Sequence, residues 1–159
     1  MDSHSTGLIV TIIIMIILSA YFSATETAFS SLNRIRMKNL AESGNRRAKL
    51  AYRLSENYDE LISSVLVGNN IVNIAASSIA TVLFIQMLGD NGPTASTVAM
   101  TIIILIFGEV TPKSIAKESP EAFAMFSAPI INVLNYVFKP INFLLVGIKK
   151  LVARFVKVS

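Results

Sequence analysis

Three long apolar stretches divide the chain, and polar or turn-forming residues bound each of them. They cover residues 7–32, 58–88 and 94–114. About 20 apolar residues suffice for a helix to cross the hydrocarbon layer of a membrane, and each stretch reaches that length. The pattern therefore predicts three transmembrane helices, with a turn at Asn91, Gly92 and Pro93 between the second and the third.

The segment between the first two stretches, residues 33–57, is polar and basic. Gly44 and Asn45 mark a turn inside it, and the flanks 33–43 and 46–56 are rich in helix-forming residues. We expect two short helices on the cytoplasmic side, with charges that are solvated or touch anionic lipid headgroups.

Residues 120–157 are amphipathic and cannot be assigned as a simple span. Pro129 interrupts the apolar run, Lys139 and Pro140 end it, and residues 141–148 are too few to cross a membrane. We expect a bent juxtamembrane helix that lies in the inner interface as a belt, with its lysines extended towards the headgroups. A re-entrant hairpin about residues 132–139 is the alternative.

Composition supports an all-α membrane protein. Hydrophobic residues make up 53% of the chain and charged residues 15%, against about 25% charged residues in soluble domains. The length of 159 residues allows one small domain, 1–159. The chain has no cysteine, which excludes disulfides and thiolate metal sites. Without a soluble scaffold, the basic charge does not indicate nucleic-acid binding.

The distribution of positive charge predicts the orientation. Seven of the fourteen Lys and Arg lie in 34–53 and seven lie from Lys113 onward. The positive-inside rule places both blocks in the cytoplasm, so that the N-terminus is outside and the C-terminus inside a plasma or inner membrane. Because no positive charge precedes Gly7, we expect the first stretch to be retained as a span and not cleaved as a signal peptide.

The end of the third stretch reads G-E-V-T-P-K and combines two unusual features. Glu109 is an ionisable group close to hydrocarbon, where an uncompensated charge costs several kcal/mol. Pro112 has no N–H and cannot bond the carbonyl of Gly108 four residues back, so a helix break is expected there. A carboxylate beside a freed carbonyl predicts a cation site. The alternative is a protonated Glu109 that hydrogen-bonds to an asparagine.

The second stretch contains G-N-N-I-V-N, which brings three amides into one and a half helical turns. One asparagine would be an ordinary hydrogen bond between helices, whereas Asn69, Asn70 and Asn73 together favour coordination. In the first stretch, Ser23 belongs to a polar stripe that is either a helix contact or part of the site. Glu26, in the same stripe, either faces a cavity or reaches cytoplasmic water, and the second is expected.

The candidate ligands are all oxygens: Ser23, Asn69, Asn70, Asn73, Gly108 and Glu109. Such a set suits Mg²⁺, Ca²⁺, Na⁺ or K⁺ and argues against zinc or copper. An enzyme is not expected, since the only histidine, His4, lies in the N-terminal tail and cannot assist a serine nucleophile. A channel is disfavoured because no repeated pore-loop element is present.

Three motifs in order, at residues 21–29, 66–73 and 108–113, resemble the transmembrane domain of the CorC/CorB/cyclin M family over roughly residues 8–156. The resemblance implies a homodimeric, Na⁺-coupled Mg²⁺ exporter with three spans, two cytoplasmic helices and a belt helix. Members continue into cytosolic CBS modules, so this chain is expected to be an excised membrane domain. The residues carried over are the serine, asparagines and Gly-Glu pair of these motifs (Ser23, Asn69, Asn73, Gly108 and Glu109, with Asn70 next), and Pro112 matches the helix break.

The mechanism expected from this reading is alternating access, in which Mg²⁺ enters from the cytoplasm and Na⁺ competes for, or is coupled to, the same carboxylate. The alternative is a membrane Mg²⁺ sensor or scaffold that signals to cytosolic modules without transport. A flux measurement under a Na⁺ gradient separates the two.

Overall fold

The computed structural model describes residues 2–157, and this range is helical with short turns and contains no β-strand. Residues 1, 158 and 159, at the ends of the predicted domain, lie outside the described residues. The elements are α1 (Ser3–Ser31), α2 (Arg34–Glu42), α3 (Arg46–Glu56), α4 (Tyr58–Leu88), a 3₁₀ turn (Gly89–Asn91), α5 (Gly92–Ile103), a π-helical segment (Ile104–Val110), α6 (Thr111–Glu118), α7 (Pro120–Val137) and α8 (Lys139–Lys157). The expectation of an all-α protein is confirmed.

Short polar side chains determine where the first three helices begin. The side chains of Asp2, Asn33 and Asn45 each accept a hydrogen bond from the backbone N–H three residues later. Such N-caps satisfy one of the free amides at a helix start and contribute about 1 kcal/mol each. Gly44, with φ +102°, makes the turn between α2 and α3.

Helices α1, α4 and α5 pack side by side, and α5 folds back along α4 through the turn at Gly89, where φ is +62°. One buried cluster joins the three helices through Ile12, Ala76, Ala80, Leu83 and Met100. A second, larger cluster joins α1 and α4 to the short helices α2 and α3 and to α6 and α7. Alanines recur in both, and small side chains let membrane helices approach closely.

Two helical runs among the described residues are long and apolar enough to cross a membrane, Ser3–Ser31 and Tyr58–Glu118. The second run has 61 residues, a length of about 90 Å if it were straight, against about 30 Å of hydrocarbon. It does not run straight, because α5 packs against α4. The pair α7 and α8 qualifies as a further span only if its two helices are counted together.

The C-terminal segment consists of two helices that meet at an angle of 72° near Phe138. Pro129 lies inside α7 and does not end it, whereas Lys139 and Pro140 begin α8. Helix α7 packs on α1 and α3, and α8 is attached to α4 through Asn142. The rest of α8 is exposed. The bend therefore occurs at the second proline and not at the first.

In place of the predicted break at Pro112, the chain stays helical and adopts a π-helix over Ile104–Val110, directly before α6. In the π-helical segment the N–H of Thr111 bonds the carbonyl of Ile106, five residues back. Pro112 is buried in the first turn of α6, where a missing N–H is tolerated. π-Helical turns are rare and frequently occur at functional sites. Here the segment contains both Gly108 and Glu109.

Candidate cation site

Asn69 on α4 is the centre of a hydrogen-bond network that joins three elements. Its Oδ1 accepts a bond of 3.0 Å from Ser19 Oγ of α1 and a bond of 3.4 Å from Asn73 Nδ2. Its Nδ2 donates to Glu109 Oε1 of the π-helical segment at 3.2 Å. Asn69 is 8% exposed and Ser19 is fully buried. The network therefore places hydroxyl, amide and carboxylate groups together between packed helices.

Gly108 allows the π-helical segment to approach α1. A Cβ atom at this position would lie 2.9 Å from Ser19 Oγ, closer than real Cβ contacts permit. The same hydroxyl holds Asn69, so the absence of a side chain at Gly108 lets Ser19 and Glu109 contact the same amide.

We expect Gly108→Ala to weaken cation binding at this site by about tenfold, because the added methyl group displaces the Ser19 hydroxyl from Asn69 and removes a buried hydrogen bond of about 1–2 kcal/mol. Isothermal titration with Mg²⁺ measures the effect. Gly147→Ala is the matched control, since no atom of the described residues 2–157 lies within 4 Å of a Cβ there. Equal affinities of the two variants would contradict the role given to Gly108.

Both oxygens of Glu109 have partners in the structure. Oε1 accepts from Asn69, and Oε2 lies 3.2 Å from Lys113 Nζ of α6. The same ammonium lies 4.0 Å from Glu26 Oε2 of α1. The three charged side chains are 28–38% exposed, so this edge of the site lies at the surface of the chain.

Two further oxygens near the network are buried without a partner. Ser23 Oγ, on a fully buried side chain, and Asn73 Oδ1 have no hydrogen bond within residues 2–157. An unsatisfied buried polar group costs about 1–3 kcal/mol and calls for an explanation such as an ion or a water molecule. Ser23 lies one turn from Ser19 on α1, on the same face. These oxygens are free to coordinate a cation.

The predicted residues do not all meet. Asn69, Asn73, Gly108 and Glu109 are brought together with Ser19, and Ser23 is buried one helical turn away. Asn70 is exposed on a different face of α4 and stands apart from the network.

Sequence reasoning missed Ser19 and Lys113, and it did not connect Glu26 with the site. Ser19 could have been found from its spacing of four residues before Ser23, which puts both on one face. Lys113 could have been found from the same spacing after Glu109. The approach of Glu26 to Lys113 has no local signal, because it depends on how α1 packs against α6.

A cleft of about 380 Å³ between α4 and the segment from α5 to Glu109 reaches the carboxylate. Most of its surface is apolar, and the hydroxyl-bearing residues that line it are Ser77, Thr81, Ser96, Thr97 and Thr101. Thr81 Oγ1 and Ser96 Oγ lie 3.2 Å apart across the cleft. Glu109 thus accepts a hydrogen bond from Asn69 of α4 and also lines this cleft.

Within residues 2–157, no group of three or more His, Cys, Asp or Glu side chains could hold a metal ion. A cation at this position would therefore depend on neutral oxygens and a single coordinating carboxylate. One carboxylate against a divalent ion leaves net positive charge, which keeps affinity low enough for release.

An all-helical membrane protein with a polar network between apolar helices is the class that the fold and the site define. Within that class, the chain belongs to the family described as the Cyclin M transmembrane N-terminal domain, whose profile matches residues 9–159. The resemblance to the CorC/CorB/cyclin M family is confirmed.

Several curated proteins are similar to the chain. A UPF0053 protein of Haemophilus influenzae is 42% identical over 138 residues, 87% of this chain and 33% of that protein. The UPF0053 inner membrane protein YfjD of Escherichia coli is 40% identical over 142 residues, 89% of this chain and 33% of YfjD. A protein of H. influenzae named Polyamine export protein is 28% identical over 164 residues, 95% and 38% of the respective chains. The chain spans about a third of the length of these relatives.

Proposed function

We propose that this chain is the membrane domain of a Mg²⁺ transporter that exports Mg²⁺ in exchange for Na⁺ by alternating access. The observation that carries the proposal is the network at Asn69 and Glu109, with the unpaired oxygens of Ser23 and Asn73 beside it. The function is transport and not enzymatic catalysis. Ser23, Asn69, Asn73, Gly108 and Glu109 are the proposed ligands, and Asn70 has the weakest case because it is exposed.

The donor set favours a hard cation, since hydroxyl, amide and carboxylate oxygens are the ligands of Mg²⁺ and Na⁺. In the arrangement described, Asn69 presents its N–H group to Glu109. A half-turn of this amide would direct its oxygen towards the carboxylate, where both could coordinate the same ion. The Ser19 hydroxyl can follow by rotating, because a hydroxyl is both donor and acceptor.

Alternating access requires two routes to the site. One is the partly exposed edge where Lys113 and Glu26 meet Glu109. The other is the cleft between α4 and α5. With three spans, an external N-terminus and a cytoplasmic C-terminus in the plasma or inner membrane, the first route faces the cytoplasm. Na⁺ that enters through the cleft would then compete with Mg²⁺ for the same carboxylate.

We also propose a homodimer and cytosolic CBS modules as partners, in line with the family resemblance. The exposed position of Asn70 among the exposed apolar residues Leu66, Ile71 and Ile74 is consistent with a helix–helix contact, because an amide on an apolar membrane face gains a partner when two helices associate.

Flux across reconstituted liposomes tests the proposal. Protein is incorporated into vesicles loaded with Mg²⁺, and external Na⁺ is varied independently of the Mg²⁺ gradient. A transporter releases Mg²⁺ at a rate that depends on Na⁺. The alternative function, a membrane Mg²⁺ sensor or scaffold, predicts Mg²⁺ binding in a titration without any flux.

A second candidate cargo is a polyamine. Lys113 shows that an alkylammonium group fits against Glu109, at 3.2 Å, with a second carboxylate 4.0 Å away. One relative is named Polyamine export protein. In the same vesicles, release of labelled spermidine in place of Mg²⁺ would favour this cargo.

An aqueous route through the cleft can be tested by thiol labelling, because the chain has no natural cysteine. Thr101→Cys, which lines the cleft, is expected to react with a membrane-impermeant thiol reagent, because water must enter the cleft for a cation to pass. Val98→Cys is the matched control on the same helix: its side chain is exposed but does not line the cleft. Equal reactivity of the two thiols would contradict an aqueous route.

A further inference from the structure

We propose that Lys113 is a tethered cation that occupies the carboxylate of the unloaded site and moves to Glu26 when a free cation binds. This inference rests on the proposed function, since it assigns a role to Lys113 at the same site. It makes Lys113 a residue that sets affinity and makes Glu26 its alternative partner.

The geometry gives Lys113 two carboxylates on two different elements. Its Nζ lies 3.2 Å from Glu109 Oε2, within hydrogen-bond distance, and 4.0 Å from Glu26 Oε2 of α1. These are the ion pairs found within residues 2–157, although the chain has fourteen Lys and Arg. A position where one ammonium is shared by two carboxylates therefore coincides with the candidate cation site.

An ordinary surface ion pair between residues four apart in a helix contributes little to stability. The pair of Lys113 and Glu109 differs from such pairs in its position at the candidate site. The other oxygen of Glu109 is held by Asn69. The Lys113 ammonium therefore pairs with the second oxygen of a carboxylate whose first oxygen is held inside the site by Asn69. In the absence of cargo it also compensates a charge that is costly near hydrocarbon.

When a free cation binds, it changes which of the two carboxylates is the better partner for Lys113. The ion and the ammonium repel each other at Glu109, whereas Glu26 is already within 4.0 Å of the ammonium. The lysine side chain is 38% exposed and can rotate, so that it gives up the shorter contact with Glu109 and keeps Glu26 as its partner. Lys113 thereby lowers the affinity of the site for its cargo and is available to re-enter when the cargo leaves.

Mg²⁺ titration calorimetry on the detergent-solubilised protein tests the inference through binding alone. Lys113→Gln is expected to bind Mg²⁺ about tenfold more tightly than the wild type, because the competitor is removed. Lys113→Arg, which keeps the charge, should stay within about twofold of the wild type. Lys117→Gln is the matched control: it removes the same charge from an exposed position of α6, one turn further on, and should change the affinity little.

A double-mutant cycle isolates the movement to Glu26. Glu26→Gln is expected to weaken Mg²⁺ binding by about threefold or more in the wild-type background, and by less in the Lys113→Gln background, where no ammonium needs a partner. Equal effects in both backgrounds would show that Glu26 acts only through its charge and would overturn the transfer.

The outcomes separate this inference from the proposed function. If the wild type binds Mg²⁺ and Lys113→Gln binds it no more tightly, the tethered-cation role is wrong while the cation site stands. If only Lys113→Gln binds, the tethered cation is supported, and the cation site stands with a wild-type affinity for Mg²⁺ below the range of the titration. If neither binds, both proposals fall. Size-exclusion profiles and the thermal unfolding of each variant establish that it is folded.

Discussion

Glu109→Ala is expected to abolish Mg²⁺ efflux from loaded liposomes and to reduce Mg²⁺ affinity by at least about a hundredfold. Glu109 is the charged group that faces Asn69, and neutral oxygens alone do not attract a divalent ion strongly. A hundredfold loss of affinity corresponds to about 2.8 kcal/mol. Vesicle efflux and calorimetry measure the two quantities separately.

The fold should survive this substitution. Lys113 keeps Glu26 as a partner, and Glu109 is partly exposed, so no buried charge is left unpaired. Expression and the elution volume of the protein should therefore match the wild type. Glu118→Ala is the matched control, since it removes the same charge from an exposed position at the end of α6. Normal Mg²⁺ efflux from Glu109→Ala would contradict the proposed transport site.

Sequence periodicity predicted the bounds of a helix well wherever these bounds depend on that helix alone. The second apolar stretch was expected over residues 58–88, and α4 covers Tyr58–Leu88. The two short helices were expected over 33–43 and 46–56, where the structure has α2 and α3. Local signals suffice here, because asparagine caps and a glycine turn set the helix ends whatever the helices pack against.

Spacing also explains why Asn69 and Asn73 meet while Asn70 does not. Residues four apart lie on one face of a helix, whereas neighbours differ by about 100°. Asn69 and Asn73 therefore face α1 and the π-helical segment, and Asn70 is turned away. Two faces of α4 carry amides, and only the packing of the other helices shows which of them forms the network.

The sequence predicted a disturbance of the helix near Pro112 but not that it would be a π-helical segment. Pro112 signals a disturbance of the helix, because it lacks an N–H. Whether the chain breaks, kinks or changes to a wider helix depends on tertiary contacts, and here the close approach of Gly108 to Ser19 accompanies the wider turn. The bend between α7 and α8 is a comparable case, since Pro129 and Pro140 give the same local signal and only the second lies at a bend.

Gly92→Ala is expected to be the most damaging single change to the fold. A Cβ at Gly92 would lie 2.6 Å from both the Cα and the N of Ile85, and 2.8 Å from the carbonyl carbon of Phe84. These are backbone atoms of α4, so no side-chain rotation relieves the contact and α5 must move away. Overpacking of this kind costs about 1–3 kcal/mol, and a backbone contact belongs at the upper end. Thermal unfolding in detergent should show a clearly lowered midpoint.

The displacement should also reach the site, because α5 leads directly into the π-helical segment. Movement of α5 would separate Ser96 from Thr81 and widen the cleft beside Glu109. Gly147→Ala is the control for helix propensity: with no atom of the described residues near its Cβ, it should be neutral or stabilise the protein by up to about 1 kcal/mol, as alanine does in exposed helices. Equal unfolding midpoints for the two variants would contradict the close packing of α4 and α5, on which the position of Glu109 depends.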